Sequence, residues 1–390
     1  MARASMQPSD LRVALFSGNY NYTRDGANQA LNLLVRHLLD QGVTVRIYSP
    51  TTERPAFPPV GDLVSVPAFP MPAGRDEYRV GRYLPAATRA DVEAFAPNIV
   101  HVSAPDLLNH GAVSWARKHG VPSVASFHTR FETYFRYYRI GFVEPLIKTL
   151  MTRFYNRVDR VMPPSPSMGA LLQQWGVTTP ITIWSRGIDH DRFTPERRDC
   201  AWRRSLGIAD HEVAIGFLGR LVKEKGLDVF ADVTKELTRR GVPHKVLVIG
   251  KGPAQDWFAE QAPGAIFAGF QSGDDLGRAV ASMDVFFNPS ITETFGNVTT
   301  EAMAAGVPVV AARATGAVDL VEDGVTGFLV EATDIAGYAD AIARIVADPA
   351  LKQAMGAAGI ANAAAYQWAT ANQAVLDTYL ELHARRTGMA

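Results

Sequence analysis

Cysteine is almost absent from this chain of 390 residues. Cys200 is the single cysteine, so no disulfide can form within the chain, and such usage suits a reducing cytoplasm. Net charge is absent as well, because 39 Lys and Arg residues balance 39 Asp and Glu residues. This balance argues against wholesale binding of nucleic acid, although it leaves room for local basic patches.

Long apolar runs are also missing. No uninterrupted apolar stretch has the length that a membrane span needs. The opening residues, "MARASMQPSD", lack the apolar region of a signal peptide, and the run "LRVALF" that follows is too short to supply one. We therefore expect a cytoplasmic protein whose contact with a membrane, if it has one, is peripheral.

Two motifs of cofactor and metal enzymes are missing too. The loop "SGNYNYTRDGAN" contains only Gly18 and Gly26, so it departs from the G-x-G-x-x-G pattern, which disfavours an NAD-dependent dehydrogenase. No D-x-D lies in a suitable loop, and no His and Cys residues are grouped at ligand spacing. We expect an enzyme that needs neither a metal ion nor another cofactor.

Short β-branched runs alternate with longer amphipathic stretches, beginning with "LRVALFS" and "GANQALNLLVRHLLDQG". This alternation, which includes "ITIWSRG" as a predicted strand, is typical of βαβ units and parallel sheets. It stops over the polar residues 186–211 and then restarts with "EVAIGFLGR". Since the chain is also long for one core, we predict two doubly wound Rossmann-like α/β domains, 1–188 and 189–365, and a final helical segment, 366–390.

In open parallel sheets, ligands bind beyond the carboxyl ends of the strands, so the loops after the strands are the candidate sites. "GFLGRLVKEKG" places Gly219, Arg220 and Lys225 directly after a strand. Arg binds two oxygens at once and Lys acts as a point charge, so this pair suits a diphosphate; ordinary surface charge is the alternative. Gly250 and Phe270 end two later strands, and the Phe270 ring could stack on a nucleobase.

The most informative stretch is "ETFGNVTTEAMAAG", which sets Glu293 before a Phe295–Gly296 break and Glu301 on the following helix. Both carboxylates can accept hydrogen bonds from the hydroxyls of a polyol. The helix dipole would also favour acidic residues here without any ligand. This alternative explains one of the two glutamates.

We expect the helix to begin near Asn297, whose side chain favours an N-cap position. Backbone amides of Asn297, Val298 and Thr299 are then predicted to be unpaired donors that a diphosphate or a sugar hydroxyl can satisfy.

A basic, aromatic segment follows the strand "VPSVAS". His128 is predicted at the carboxyl end of that strand, although an isolated histidine more often caps a neighbouring helix. Over residues 128–160, seven Lys or Arg residues accompany three acids and eight Phe or Tyr residues. Such composition suits a helix on an anionic bilayer, and the alternative is an aromatic helix packed in the core with a solvated charged face. The predicted acceptor or membrane contacts are Arg24, Arg130, Tyr134, Arg136, Tyr137 and Tyr138.

"GRLVKEKG" and "ETFGNVTTEAMAAGVPVVA", at this spacing, resemble the nucleotide-sugar-binding half of family 4 glycosyltransferases, and the two glutamates in E-x7-E are the most specific match. The resemblance covers nearly the whole chain. It implies a GT-B fold with two facing domains, hinge motion, and a last helix that packs back on the first domain. The region "HTRFETYFRYY" is similar to lipid-directed members such as the mannosyltransferases and the sulfoquinovosyl- or glucosyl-diacylglycerol synthases, which implies a lipid acceptor.

The resemblance also implies roles for individual residues. Glu293 would hold hydroxyls of the donor hexose, and Glu301 those of the ribose. Arg220 and Lys225 would neutralise the leaving diphosphate, and His128 would contact the sugar near its reacting centre. The remaining implied contacts with the donor are those of Gly18, Phe295, Gly296, Asn297, Val298 and Thr299.

The expected reaction is therefore retaining transfer of a hexose from a UDP- or GDP-sugar, without nucleic acid as a partner. The preferred acceptor is a membrane lipid at the inner face of the cell membrane. A soluble or polysaccharide-precursor acceptor stays open, as does a uronic-acid donor recognised by Arg24, Arg75 or Arg130. Two other interpretations are a nucleotide-sugar 2-epimerase of the same fold and a non-catalytic binding subunit.

Overall fold

The computed structural model describes residues 6–23, 25–71, 75–130, 132–133 and 141–388, with the backbone alone for 70, 71, 75–78 and 141. These residues form two compact units. The described residues of Met1–Thr129, Val143–Arg186 and Trp368–Ala390 belong to unit 1, and those of Arg130–Phe142 and Gly187–Gln367 belong to unit 2.

Unit 1 is built on a six-stranded sheet in the order β3-β2-β1-β6-β7-β8, in which every neighbouring pair is parallel. The strands of this sheet are β1 Arg12–Phe16, β2 Thr44–Ser49, β3 Asp62–Ser65, β6 Ile99–Val102, β7 Ser123–Ser126 and β8 Arg160–Met162. A separate antiparallel hairpin joins β4 Ala68–Met71 to β5 Arg75–Gly81. Strands β6 and β7 are buried at every position, as expected where helices cover both faces of a sheet.

The helices of unit 1 connect its parallel strands. They are α1 Gly26–Asp40, α2 Ala86–Phe95, α3 Leu107–His119, α4 Glu144–Tyr155 and α5 Pro166–Gln174, with short 3-10 turns at Pro8–Asp10 and Gly141–Val143. Helix α1 begins after Asp25 and α3 after Asp106, and each aspartate accepts a hydrogen bond from a backbone N–H in the first turn of its helix. Their sequences therefore set where these helices begin.

The last helix of the chain, Trp368–Thr387, also belongs to unit 1. It packs against α1, and its Val375, Leu376 and Tyr379 side chains lie in the same buried cluster as Leu34 and Leu38 of α1. This contact agrees with the expected return of the C-terminal helix to the first domain.

Unit 2 repeats the arrangement, with a parallel sheet in the order β11-β10-β9-β12-β13-β14. Its strands are β9 Ala214–Leu218, β10 Lys245–Ile249, β11 Ile266–Gly269, β12 Val285–Asn288, β13 Val309–Ala312 and β14 Gly327–Val330. In both sheets the first strand has the second and third strands on one side and the later strands on the other. Sheets of this kind bind ligands at this switch point, beyond the carboxyl ends of their strands.

The helices of unit 2 begin with α6 Cys200–Ser205, α7 Leu227–Arg239, α8 Gln255–Gln261, α9 Gly273–Ala281 and α10 Asn297–Ala304. They continue with α11 Ala317–Leu320, α12 Ile335–Ala347 and α13 Pro349–Ala363, so the helix Trp368–Thr387 of unit 1 is α14. Two 3-10 turns, Pro195–Arg197 and Lys223–Lys225, complete the unit.

The predicted strand "ITIWSRG" is wrong. Ile181 makes only an isolated bridge to Val161, and the segment beyond it is not part of the sheet. The chain next to it continues through Pro163 and Pro164, which have no backbone N–H to donate to a ladder. Strands β3 and β8 and the β4–β5 hairpin were not predicted from the sequence.

The chain passes from unit 1 to unit 2 after Arg186 and returns after Gln367, whereas the predicted boundaries were 188 and 365. The described residues of Arg130–Phe142 group with unit 2, although the predicted first domain contained them. A local reason is that the Arg130 guanidinium donates hydrogen bonds to the Ile291 carbonyl, at 3.2 Å, and to the Thr315 hydroxyl, at 3.1 Å.

Candidate functional site

Two glycine turns lie at the carboxyl ends of neighbouring strands in unit 2. The Gly219 N–H donates to the Ile249 carbonyl at 3.0 Å, and Gly250 has a φ of 137°. A Cβ atom on Gly250 would lie 1.9 Å from the Gly219 carbonyl oxygen, so a side chain here is excluded by backbone alone. The close approach of the two turns accounts for Gly250 without a ligand, and its contact with a donor stays a prediction.

Lys225 and Glu293 form an ion pair that joins the loops after β9 and β12. The Lys225 ammonium lies 2.6 Å from Glu293 Oε1, and both side chains are partly buried. The Thr315 hydroxyl donates to the Glu293 backbone carbonyl at 2.9 Å, and the Thr292 hydroxyl donates to the Glu224 carbonyl at 3.2 Å. The structure therefore brings together two of the predicted catalytic residues, which are far apart in sequence.

Two arginines lie in the same group of loops. Arg220 is exposed directly after β9. Arg130, predicted on the acceptor side, is mostly buried beside the loop of Glu293, and its Nε donates to Glu132 Oε1 at 2.8 Å. Lys225 and Arg130 are each paired with a glutamate, and together with Arg220 they provide cationic donors that suit an anionic ligand such as a diphosphate.

Helix α10 begins at Asn297 as predicted, but its N-cap is Gly296, with a φ of 106°, and not Asn297. The positive φ explains why glycine occupies the break. The Thr299 amide donates to the Gly296 carbonyl at 2.9 Å, so it is not the unpaired donor that was expected. The amides of Asn297 and Val298 occupy the first two positions of the helix, which have no acceptor within it.

Phe295 and Glu301 flank this helix start. Phe295 is buried, and its ring lies 5.6 Å from that of Tyr366, so its side chain anchors the loop in the core. Burial raises the pKa of Glu301 to about 8, while the charge of Arg192 acts in the opposite direction. The carboxyl group of Glu301 thus keeps its proton more readily than an ordinary glutamate.

Phe270 follows β11 at the same end of the sheet. Its side chain is 61% exposed, and Gly269 before it has a φ of 72°. A ring this exposed offers a face on which a planar base can stack. Its role in binding the base stays a prediction.

Gly18 lies in the loop after β1 of unit 1. A Cβ atom on Gly18 would lie 2.5 Å from Asp106 Oδ2, and the Tyr22 hydroxyl donates to the Gly18 carbonyl at 2.8 Å. Asp106 also caps α3, and burial raises the pKa of this carboxyl group to about 6. The loop is thus packed against a carboxyl group that the sequence analysis did not single out.

His128 is partly exposed two residues beyond β7, at the carboxyl end of that strand as predicted. Its Nε2 lies 2.8 Å from the Ser126 hydroxyl, and its Nδ1 lies 2.8 Å from Arg186 Nη2. Burial, the charge of Arg186 and nearby His101 together hold the pKa of His128 well below its usual range. The imidazole is therefore neutral near pH 7.

Most of the predicted acceptor or membrane contacts lie outside the described residues. This holds for Arg24, Tyr134, Arg136, Tyr137 and Tyr138, and the Arg75 side chain is not described either. In the described part, α4 buries Met151, Phe154 and Tyr155 in the core of unit 1, which corresponds to the core-packed alternative for those rings.

The opposite side of α4 is apolar and exposed. Leu146 and Leu150, which are 60% and 47% exposed, are four residues apart and lie along one side of the helix, and Phe142, in the 3-10 turn before the helix, is 82% exposed. We call these three residues the α4 stripe. It differs from the aromatic and basic residues that the sequence analysis singled out.

Metal donors are dispersed in the described part of the chain. There, no three His, Cys, Asp or Glu side chains lie close enough together to hold a metal ion. No helix among the same residues combines the length and apolar character needed to cross a membrane.

The residues around His128 were missed by the sequence analysis. Arg186 fell in the polar stretch between the domains, and Ser126 and His101 lie within predicted strands. One usable signal was present, because a histidine in the otherwise apolar strand "IVHV" must find buried hydrogen-bond partners.

Two family models match most of the chain. The one described as Glycosyltransferase Family 4 matches residues 24–192, and the one described as Glycosyl transferases group 1 matches residues 212–348. Each match lies mainly in one structural unit.

Curated relatives agree with the family models. A GDP-mannose-dependent alpha-mannosyltransferase of Mycolicibacterium smegmatis is 31% identical over 82% of this chain and 84% of its own length. One of the same name from Corynebacterium glutamicum is 27% identical, over 95% of this chain and 89% of its own. The sulfoquinovosyl transferase of Arabidopsis thaliana is 30% identical over 72% of this chain and 56% of its own.

Solved structures give the fold. Sucrose-phosphate synthase from Thermosynechococcus elongatus has a TM-score of 0.77 at 19% identity, covering 96% of this chain and all of that one. Anabaena HepE, solved in complex with UDP, has a TM-score of 0.72 at 19% identity, with coverage of 94% and 99%. The predicted GT-B architecture is thereby confirmed, and the chain belongs to glycosyltransferase family 4 and is a glycosyltransferase.

Proposed function

We propose that this glycosyltransferase moves a hexose from a UDP- or GDP-sugar to a membrane lipid, with retention of the anomeric configuration. The observation that carries the proposal is the Lys225–Glu293 pair, held at 2.6 Å beside the N-terminus of α10. The names of the two mannosyltransferase relatives favour GDP-mannose within this donor class.

The charges in unit 2 suit a diphosphate leaving group. Breaking the bond between sugar and diphosphate builds negative charge on the diphosphate oxygens. Lys225, the exposed Arg220 and the first amides of α10 are positioned at the strand ends before the reaction begins, so they stabilise that charge with little reorganisation. We propose that these groups replace the divalent ion that would otherwise neutralise a diphosphate.

Glu293 is proposed to bind sugar hydroxyls. Its Oε1 is engaged by Lys225, which suits a carboxylate that accepts hydrogen bonds rather than one that attacks carbon. Retention then proceeds by attack of the acceptor hydroxyl on the face that the diphosphate leaves: the new C–O bond forms as the bond to the diphosphate breaks, and the hydroxyl proton passes to the departing diphosphate oxygen. Glu301 is proposed to accept hydrogen bonds from the ribose hydroxyls, and Phe270 to stack on the base.

The α4 stripe supports a lipid acceptor. Two exposed leucines on one side of a helix, with an exposed phenylalanine in the turn before it, favour insertion into the boundary between lipid head groups and acyl chains. Arg153, on the same helix, is exposed and can lie against anionic head groups. We therefore propose peripheral binding at the inner face of the cell membrane.

A donor and acceptor panel tests the reaction. The protein is incubated with UDP- and GDP-sugars, with membrane lipid extract or without it, and with or without EDTA. We expect a glycolipid whose anomeric configuration by NMR matches that of the donor, at a rate unchanged by EDTA. Hydrolysis alone in every arm, or release of a free epimerised sugar, would contradict the lipid-transfer proposal.

A vesicle flotation experiment tests the α4 stripe. We expect the protein to float with vesicles containing phosphatidylglycerol, and Phe142→Ser combined with Leu146→Ser to reduce the bound fraction several-fold. The matched control is Ile360→Ser, because Ile360 is an exposed apolar residue on a helix of unit 2. Equal flotation of the double variant and the control variant would exclude the stripe as the membrane contact.

A further inference from the structure

A chain of polar contacts crosses the interior of unit 1 and ends at His128. It begins at the Tyr379 hydroxyl on α14, which contacts His101 Nδ1, and His101 Nε2 lies 3.0 Å from the Ser126 hydroxyl. Ser126 in turn contacts His128 Nε2 at 2.8 Å. Tyr379, His101 and Ser126 are fully buried, so each contact in the chain replaces hydrogen bonds that water would otherwise make.

Arg186 determines which nitrogen of His128 carries the proton. A guanidinium group has donors and no acceptor, so the His128 Nδ1 at 2.8 Å from Arg186 Nη2 must be the unprotonated acceptor. A neutral imidazole carries a single proton, which therefore resides on Nε2 and is donated to the Ser126 hydroxyl. Both ring nitrogens are thus engaged by the protein.

Arg186 is itself held firmly. Its side chain is only 4% exposed, and Nη1 donates to the Trp184 and Ser185 carbonyls at 2.9 and 3.1 Å. The guanidinium also lies 4.8 Å from the centroid of the Trp184 ring. A buried cation in this position opposes a second proton on His128, because two positive donors would face each other.

Helix α14 supports both ends of this arrangement. Tyr379 contacts His101 at one end, and at the other the Trp184 ring N–H donates to Asn372 Oδ1 at 3.2 Å. Both side chains are buried on the same side of the helix that packs on unit 1. The orientation of His128 therefore depends on a segment at the far end of the sequence.

We propose that Arg186, Ser126, His101 and Tyr379 are positioning residues that hold His128 as a neutral imidazole with its proton on Nε2. In this state His128 does not exchange protons with the substrate, and it contributes to transfer as a fixed, uncharged group. The kinetic part of this inference rests on the proposed transferase function, whereas the protonation state does not.

Histidine NMR on the full-length protein tests the protonation state directly. The side-chain nitrogens of His128 are assigned by the signals that disappear in His128→Gln. We expect one protonated Nε2 and one unprotonated Nδ1, unchanged between pH 5 and 8. A proton on Nδ1, or titration of His128 with an ordinary pKa near 6.5, would overturn the proposal.

Substitution of Arg186 tests what holds that state. In Arg186→Met the donor to Nδ1 is lost, so we expect signals averaged between the two tautomers and a pKa that moves toward the ordinary value. Arg186→Lys retains a cationic donor and should keep more of the wild-type pattern. Tyr379→Phe, which removes only a hydroxyl, gives a second variant of nearly unchanged volume.

Arg160→Met is the matched control. Arg160 also contacts α14, through Glu381 at 2.8 Å, and its Nη1 donates to the Thr182 hydroxyl at 3.1 Å rather than to a member of the chain that ends at His128. The His128 signals of this variant should match those of the wild type. Loss of the pattern in Arg160→Met would overturn the specific role of Arg186, because general loosening of α14 would then be responsible.

Turnover supplies the functional measurement. We expect kcat for glycosyl transfer to fall by about tenfold or more in Arg186→Met, with a smaller change in KM for the donor. Wild-type turnover together with an altered His128 pattern would overturn the positioning role. Absence of transfer by the wild type with every donor would instead refute the proposed function and leave the protonation state intact.

Discussion

The carboxyl ends of the two sheets hold their candidate functional side chains in opposite electrostatic states. In unit 2, Lys225 and Glu293 form a charged pair, and Arg220 is exposed to water. In unit 1, His101 and His128 are neutral, since burial lowers the pKa of His101 to about 3 and that of His128 well below its usual range. The same sheet topology thus supports a charged site in one unit and a neutral one in the other.

Desolvation explains this difference. The partly exposed Lys225 and Glu293 keep part of their hydration and pair as ions, whereas the fully buried His101 favours its uncharged form. His128 does so as well, because it faces the buried cation Arg186. Each unit also contains an exception: burial raises the pKa of Glu301 to about 8 in unit 2 and lowers that of Arg186 to about 9 in unit 1. This difference fits our proposals that unit 2 stabilises developing charge and that unit 1 fixes the geometry of a neutral group.

Breaking the charged pair should have the largest effect. We expect Lys225→Met and Glu293→Gln each to lower kcat about 10²–10³-fold, because each removes a preorganised charge from the reacting centre. Steady-state kinetics with the best donor of the panel measures this. Lys235→Met is the control, since Lys235 pairs with Asp232 on the surface of α7 and should leave kcat near the wild-type value. Near-native turnover of either site variant would remove that residue from the mechanism.

Protonation of the buried histidine His101 should have the next largest effect, which is on the free energy of unfolding. The unfolded chain binds a proton at a histidine near pH 6.5 and the folded protein does not, so stability falls as the pH drops below about 6.5. From the folded pKa of about 3 for His101, the loss between pH 7 and pH 5 is about 2 kcal/mol for this residue.

Denaturation midpoints of the wild type and His101→Gln between pH 5 and 7 test this expectation. The variant keeps a hydrogen-bond donor and an acceptor but has no titrating ring, so its stability should depend less steeply on pH. The opposing titration of Asp106 is present in both proteins and cancels in the comparison. Parallel curves would show that His101 accepts a proton in the folded state.

The smallest expected effect concerns Glu301. Because its pKa is raised to about 8, the free protein must give up a proton before Glu301 can accept hydrogen bonds from a ribose as a carboxylate. We expect the affinity for UDP or GDP to rise with pH by at most about tenfold per unit between pH 6 and 8. Calorimetric titration at several pH values should show that this rise is weaker in Glu301→Gln. An identical pH dependence in both proteins would exclude a carboxylate contact from Glu301.

Much of the fold could be predicted from local patterns. The alternation of apolar strands and amphipathic helices predicted the two parallel sheets, and Asp25 and Asp106 mark the helix starts that they cap. "ITIWSRG" was wrongly predicted as a strand because its apolar residues alternate as in a strand. The neighbouring strand with which it would pair is interrupted by Pro163 and Pro164. A strand pairs only with a segment whose backbone N–H groups can donate to it, and the sequence of one segment does not show whether its neighbour has them.

The site was predictable to a similar extent. The E-x7-E spacing around a glycine break identified Glu293 and Glu301, and the structure adds the pairing of Glu293 with Lys225. The expected N-cap at Asn297 was wrong because the positive φ required at the break is more easily adopted by Gly296. Residue preference for a cap was outweighed by the backbone geometry of the turn.

The sequence by itself determined the family, the two α/β units and the residues of the loops that we propose bind the donor, because those features depend on spacings of a few residues. Only the tertiary structure decided the state of His128 and which side of α4 faces solvent. The pairs His101–Ser126, His128–Arg186 and His101–Tyr379, which make up the contacts leading to His128, are 25, 58 and 278 residues apart in sequence. Contacts of such separation form only when the sheet and the last helix bring distant segments together, and burial there sets which groups are charged.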